Sequence, residues 1–140
     1  MHSAESFRLL LVEPANLLRR TVSLTVRSLG TADVTEAATY QTAHELCQRR
    51  TFDGAVIAVE WPLPSDVYKG LTLIQQIRSG TSASAASIPI AVLVESCNTE
   101  LLQVLRSCGI SRILIKPFRV RDVVDTIDSM KAMARGAAAV

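Results

Sequence analysis

Five short apolar runs alternate along this chain with five stretches whose apolar residues recur every three or four positions. The runs Phe7–Val12 (FRLLLV), Ala32–Glu36, Gly54–Val59 (GAVIAV), Ile88–Val94 (IPIAVLV) and Arg112–Ile115 (RILI) are predicted strands. GAVIAV and IPIAVLV carry no charge at all, which marks strands buried on both faces. The periodic stretches are predicted helices. The first, Ala15–Leu29, starts after Pro14, stops at Gly30, and sets Leu18, Val22, Val26 and Leu29 on one face with Arg19, Arg20 and Arg27 elsewhere. The second, Thr39–Arg50, has Thr42 and Glu45 at capping-box spacing near its start. Gly70–Arg78 carries Leu71, Ile74 and Ile77, and Thr99–Ser107 ends at Gly109. The fifth helix has a stripe of Val120, Val123, Val124, Ile127 and Met130, with Asp122, Asp125 and Asp128 outside. Arg121 and Asp125 stand at i,i+4, a spacing worth a few tenths of a kcal/mol.

Strict strand–helix alternation predicts the α/β class: a single (βα)5 doubly wound parallel sheet with strand order 2-1-3-4-5. In such a sheet, binding and chemistry gather at the carboxyl edge, in the crevice between the first and third strands. The loop into the first helix, Glu13-Pro14-Ala15-Asn16, lacks the glycine and hydroxyl residues that would cradle a flavin phosphate there.

Composition narrows the picture further. A chain of 140 residues that is 49% hydrophobic suits one core, drawn here as a domain over 1–134 with a flexible tail, 135–140. A net charge of +2 gives no reason to invoke nucleic acid or a membrane surface. No apolar run approaches the roughly 18–20 residues of a membrane span, and the first residues do not read as a secretory leader. Cys47, Cys97 and Cys108 lack metal-ligand spacing, so reduced thiols in a cytoplasmic protein are expected, with no metal site and no cofactor. Cys97 and Cys108 read as small buried hydrophobes, and His44 as a satisfied core histidine.

The order Leu9-Leu10-Leu11-Val12-Glu13 with Arg19 downstream, then Phe52-Asp53, Trp61-Pro62, Pro89-Ile90 and Ile115-Lys116-Pro117-Phe118, resembles the response-regulator receiver domain. This is the flavodoxin-like, CheY-like module of two-component signalling, and the resemblance covers about Arg8 to Met130. It implies where the working residues of a receiver would fall. The family's paired acids after the first strand match Glu13 and Pro14, so one carboxylate is kept and the other lost. Its phosphoacceptor aspartate, five residues after the position of Asp53, matches Ala58. Its hydroxyl at the end of strand four matches Val94, and its aromatic switch in strand five matches Ile113. Only Lys116 and the following proline, with the cis peptide common there, match in full.

A methyl group is neither a nucleophile nor a metal ligand. The resemblance therefore implies a degenerate pseudo-receiver. It would be a phosphorylation-independent interaction or regulatory module, not an enzyme. A two-residue shift of register would put Glu60 at the acceptor position, as a mimic of the charged state. Asp53 is expected at the wrong end of its strand and Asp66 on a loop, so neither reads as an acceptor. Lys116 is expected to pair with Glu13 across the crevice.

Two surfaces stand out as candidate interfaces. Trp61 and Tyr68 flank a Pro-rich segment, 62–69, that is longer than the corresponding receiver loop. The last forty residues place Arg106, Arg112, Arg119 and Arg121 on the face of helix four, strand five and helix five, which receivers commonly use for output and self-association. The expected partner is a signalling protein (a histidine kinase, a response regulator or an output domain) or a second copy. An anionic nucleotide such as a cyclic dinucleotide is the alternative ligand for the same arginines.

Overall fold

In the structure, a computed structural model, residues 6–60 and 70–139 are described, the last five for their backbone alone. The first strand, β1 (Arg8–Val12), exposes Arg8 and buries its other four residues completely. Two further strands, β3 (Gly54–Ala58) and β4 (Ile90–Val94), are buried at every position, as their uncharged runs require. The sheet is completed by β2 (Asp33–Ala37) and β5 (Arg112–Ile115). All five strands are parallel, in the order β2-β1-β3-β4-β5. Helices α1 (Asn16–Ser28), α2 (Tyr40–Arg49), α3 (Gly70–Arg78), α4 (Thr99–Ser107) and α5 (Val120–Ala139) follow their strands in turn.

Two apolar clusters lie on the two faces of the sheet. Leu9, Leu11, Val56, Ala58 and Leu93 join residues of α1 and α5 on one side. Leu10, Val12, Ala55, Ile57, Val92 and Val94 join residues of α2, α3 and α4 on the other. The alternation along each strand is the period of two that a pleated strand imposes. Each fully buried leucine or isoleucine contributes about 1.5–3 kcal/mol.

Several local expectations change. The cap of α2 is Thr39, not Thr42: Thr39 is extended and its Oγ1 accepts the Thr42 N–H at 3.0 Å. Asn98 caps α4 in the same way, accepting from Leu101 N–H. Leu29 leaves the buried face because α1 ends there, and it is 63% exposed. Gly30 then takes a positive φ of 67°, which suits a residue without Cβ. Strand β4 starts at Ile90 rather than Ile88, after Pro89, which has no N–H for the ladder. The last helix runs on to Ala139, through the stretch drawn as a tail. Cys47 is buried, and burial pushes its thiol up to about 11, whereas Cys97 and Cys108 are only half-buried.

Arg78 was unmarked in the sequence, yet it ties three segments together. Its Nε donates to Cys108 O at 2.6 Å, its Nη1 to Ala86 O and Ile88 O at 2.7 Å each, and its Nη2 to Gly109 O at 3.1 Å. Cys108 and Gly109 lie at the end of α4, where unpaired carbonyls and the helix dipole favour a cation. Burial lowers the Arg78 pKa against a smaller opposing contribution from Cys108.

Candidate functional site

The carboxyl edge of the sheet is where the predicted residues converge. Register places Val12 beside Ile57 and Ala58 beside Leu93, so Glu13, Ala58 and the residue after Val94 emerge together. They surround a cleft of about 240 Å³ lined by Glu13, Pro14, Tyr40, Ala58, Glu60, Glu95 and Lys116, among others.

Glu13 is only 2% exposed. Its Oε2 accepts the Ala15 N–H at 2.9 Å, folding the loop back on itself. Its Oε1 lies 3.0 Å from Lys116 Nζ, an ion pair whose direction is too poor for a hydrogen bond. The pairing expected across the crevice is therefore present. Lys116 also reaches Glu95 Oε2 at 3.5 Å, and Glu95 is mostly in solvent. The backbone N–H of Lys116 donates to Val94 O at 2.8 Å, and the Lys116–Pro117 peptide is cis.

Ala58 is 4% exposed and ends β3. Its carbonyl accepts the Tyr40 hydroxyl at 2.9 Å. Burial, and then the Glu60 and Glu13 carboxylates, push the Tyr40 phenol well above its ordinary pKa, so it stays a neutral donor. Val94 is buried and Ile113 half-buried in the cluster under α3 and α4, so neither brings a polar atom to the cleft. Glu60 lies beyond the strand and is exposed, although it lines the cleft.

Arg19 was expected away from the apolar face but is buried. Its Nη1 donates to Glu13 O at 3.0 Å, its Nε to Glu36 at 3.0 Å and its Nη2 to Asn16 at 2.9 Å. It holds the Glu13 loop, the start of α1 and the edge strand as one piece. The signal was in the spacing, since Arg19 shares a helical line with Val22, Ser23 and Val26. Tyr40 and Glu95 were also unmarked. Glu95 directly follows β4, the kind of position that brought Glu13 and Lys116 to the edge, whereas Tyr40 opens α2 three residues after β2 ends.

Asp53 lies at the opposite edge. It accepts from Arg8 N–H at 2.8 Å and from Arg8 Nε and Nη2 at 3.1 Å each. Burial raises its pKa, but the bonds and charge of Arg8 outweigh that and leave it lowered. A lowered folded-state pKa gives stability that is present above the unfolded value of about 3.9. It is lost as pH falls through the folded value. Asp53→Asn is expected to cost about 0.5–1 kcal/mol at neutral pH for this exposed pair. Urea titrations should show the difference from the parent chain shrinking below about pH 4; a constant difference would disprove the assignment.

Among the other predicted residues, Arg106, Arg112, Arg119 and Arg121 are all exposed, and Arg121 is 4.0 Å from Asp125. The backbone N–H of Arg119 donates to Asp122 at 3.0 Å. His44 is half-buried with Nδ1 at 2.9 Å from Gln76 Oε1. Trp61, Asp66 and Tyr68 lie outside the described residues. Among the described residues no helix is long and apolar enough to cross a membrane, and no His/Cys/Asp/Glu group has metal-binding geometry.

Comparison with known proteins shows the family. Residues 9–128 match the response regulator receiver domain. The chain belongs to the receiver family. This receiver is 29% identical over 111 residues to the chemotaxis protein CheY1 of Helicobacter pylori, covering 79% of this chain and 86% of that one. It is 26% identical over 129 residues to a CheY homologue of Campylobacter jejuni, covering 92% and 95%. Solved structures share its fold. A CheY-like receiver from Methanospirillum hungatei superposes with a TM-score of 0.81 at 16% identity, covering 95% and 99% of the two chains. The receiver domain of a Pseudomonas aeruginosa sensor histidine kinase, described with magnesium coordinated in its active-site cleft, gives 0.72 at 22%, covering 91% and 98%.

Proposed function

We propose that this receiver works without phosphorylation, as a pseudo-receiver that binds signalling proteins. The observation that carries the reading is the side chain of Ala58: at the end of β3, lining the cleft with Glu13 and Lys116, it is a methyl group. An acyl phosphate needs a carboxylate there, and alanine supplies none.

Magnesium, which the fold family implies, does not fit the residues that stand at the family's own ligand positions, Glu13, Pro14 and Ala58. A hard cation takes oxygen ligands, usually through one or two carboxylates and several waters. Pro14 and Ala58 have no side-chain oxygen. Glu13 has both oxygens engaged, one on a backbone N–H and one on an ammonium that a cation would have to displace. The hydroxyl and aromatic positions of the family's switch are Val94 and Ile113, both in the core cluster.

In place of a switch, the chain offers surfaces. Arg106, Arg112, Arg119 and Arg121 stand in solvent on α4, β5 and α5 and their connections, which suits an acidic partner protein or output domain. The test is an amide NMR spectrum recorded with beryllofluoride and Mg²⁺, set against a receiver that retains its aspartates. The expected result is no change here. Specific shifts at Ala58 and Lys116 would overturn the reading.

A further inference from the structure

We propose that the amino edge of the sheet, opposite the edge of Ala58, holds a binding site for a small amphipathic carboxylate. A cavity of about 500 Å³ opens there, between the starts of β1 and β3, the segment 85–89 and the late turns of α5. That volume lies within the roughly 300–1,000 Å³ of small-molecule sites. Phe52 and Ile88, both buried, form its apolar wall, and Met133, 51% exposed, faces them from α5. The wall is set before any ligand arrives. Ser84 Oγ accepts the Phe52 N–H at 2.7 Å, and the Ala83 N–H donates to Cys47 O at 2.8 Å. Arg78 holds Ala86 O and Ile88 O at 2.7 Å each. Residues 80–87 (GTSASAAS) carry no side chain larger than threonine, so the segment leading into β4 leaves the space beside α5 open. Arg8 and Met133 fall outside residues 9–128, so the cavity is not supplied by the family's matched segment alone.

Hydrogen-bond capacity selects the occupant. A guanidinium has five N–H donors. Arg8 spends Nε and one Nη2 donor on Asp53, and one Nη1 donor on Thr51 Oγ1. The second N–H on each Nη has no partner among the described residues. Thr51 Oγ1 accepts that bond and keeps its own proton to give. Asp53 already accepts from the Arg8 N–H, Nε and Nη2, close to the roughly four bonds a carboxylate can take. The polar end therefore offers two charge-assisted donors and a hydroxyl to an incoming acceptor, and little to an incoming donor. A carboxylate suits such a fork, because its two oxygens meet the planar guanidinium. Arg8 and Asp53 cancel in charge, so the field at the site is weak and the apolar wall must supply much of the binding. That excludes a free phosphate and calls for an acid with an apolar body, laid along Phe52 and Ile88 toward Met133, whose flexible thioether adapts to it. The occupant would brace the late turns of α5, the helix that carries Arg121. The inference goes beyond the interaction-module reading and does not rest on the absence of phosphorylation.

The experiment titrates sodium octanoate into the labelled full chain, with octanol and octylamine as the neutral and cationic comparisons. Shifts of the amides of residues 51–53 and 85–88 and of the Met133 methyl are expected, with octanoate binding about fivefold or more tighter than octanol. In Arg8→Gln the octanoate affinity should fall to that of octanol, while octanol binds as before. Met133→Asp should weaken octanoate about tenfold without touching Arg8. Both positions are exposed, so folding is preserved, and the dispersion of the same spectra checks it. The idea fails if octanoate does not bind, if the shifts fall on the Ala58 cleft or another face, or if octanol or octylamine binds as tightly. It also fails if either variant binds octanoate as the parent chain does. The beryllofluoride test reads the opposite edge of the sheet, so the two proposals can fail independently.

Discussion

Lys116→Met is expected to lower the unfolding free energy by about 3 kcal/mol at neutral pH. Among the described residues, the lost ammonium is the counter-charge at Oε1 of a carboxylate that is 2% exposed. Removing one member of a buried pair leaves the other uncompensated, which costs far more than the pair itself contributes. Glu95 adds little, because at 81% side-chain exposure it is rehydrated. The double variant Glu13→Gln/Lys116→Met should therefore recover most of the loss, with a coupling of about 2 kcal/mol in a double-mutant cycle. Urea denaturation followed by circular dichroism measures all four corners. Additive costs would mean that the two charges are not coupled. The result bears on function, because a lysine held between Glu13 and Glu95 is occupied with the protein's own carboxylates.

Gly70→Ala is expected to cost about 3 kcal/mol, at the upper end for overpacking a tight site. A Cβ at Gly70 would collide with the Ala58 carbonyl oxygen and come within 3.1 Å of Ile57 Cγ2. The obstacle is the backbone of a buried strand, which cannot turn aside as a side chain does. The same carbonyl accepts the Tyr40 hydroxyl, so β3, α2 and the start of α3 would all have to adjust. Helix propensity alone predicts the reverse, a gain of up to about 1 kcal/mol for alanine. The sign of the change therefore decides between the two. Gly80→Ala is the useful contrast, since its φ of 83° is strained for alanine but nothing lies within 4 Å of the added atom. Its cost should be near 1 kcal/mol. A Gly70→Ala chain as stable as its parent would show that α3 does not approach Ala58 so closely.

The sequence alone determined the five parallel strands and their order. Periods of two and of three to four are local properties, and burial on both faces leaves no room for charge in β3 or β4. It also brought Glu13, Ala58 and Lys116 to one edge, because the chain position at the end of a strand fixes the edge. It did not separate Arg19, buried under the Glu13 loop, from Arg20, exposed one residue later, although the helical line through Val22 and Val26 marked the difference. Only the tertiary structure decided which polar atoms meet: Arg78 on four carbonyls, the Tyr40 hydroxyl on Ala58 O, and Lys116 shared between Glu13 and Glu95. Those partners come from segments far apart in the chain, and their pairing depends on distances and directions of about an ångström that only the packed elements fix.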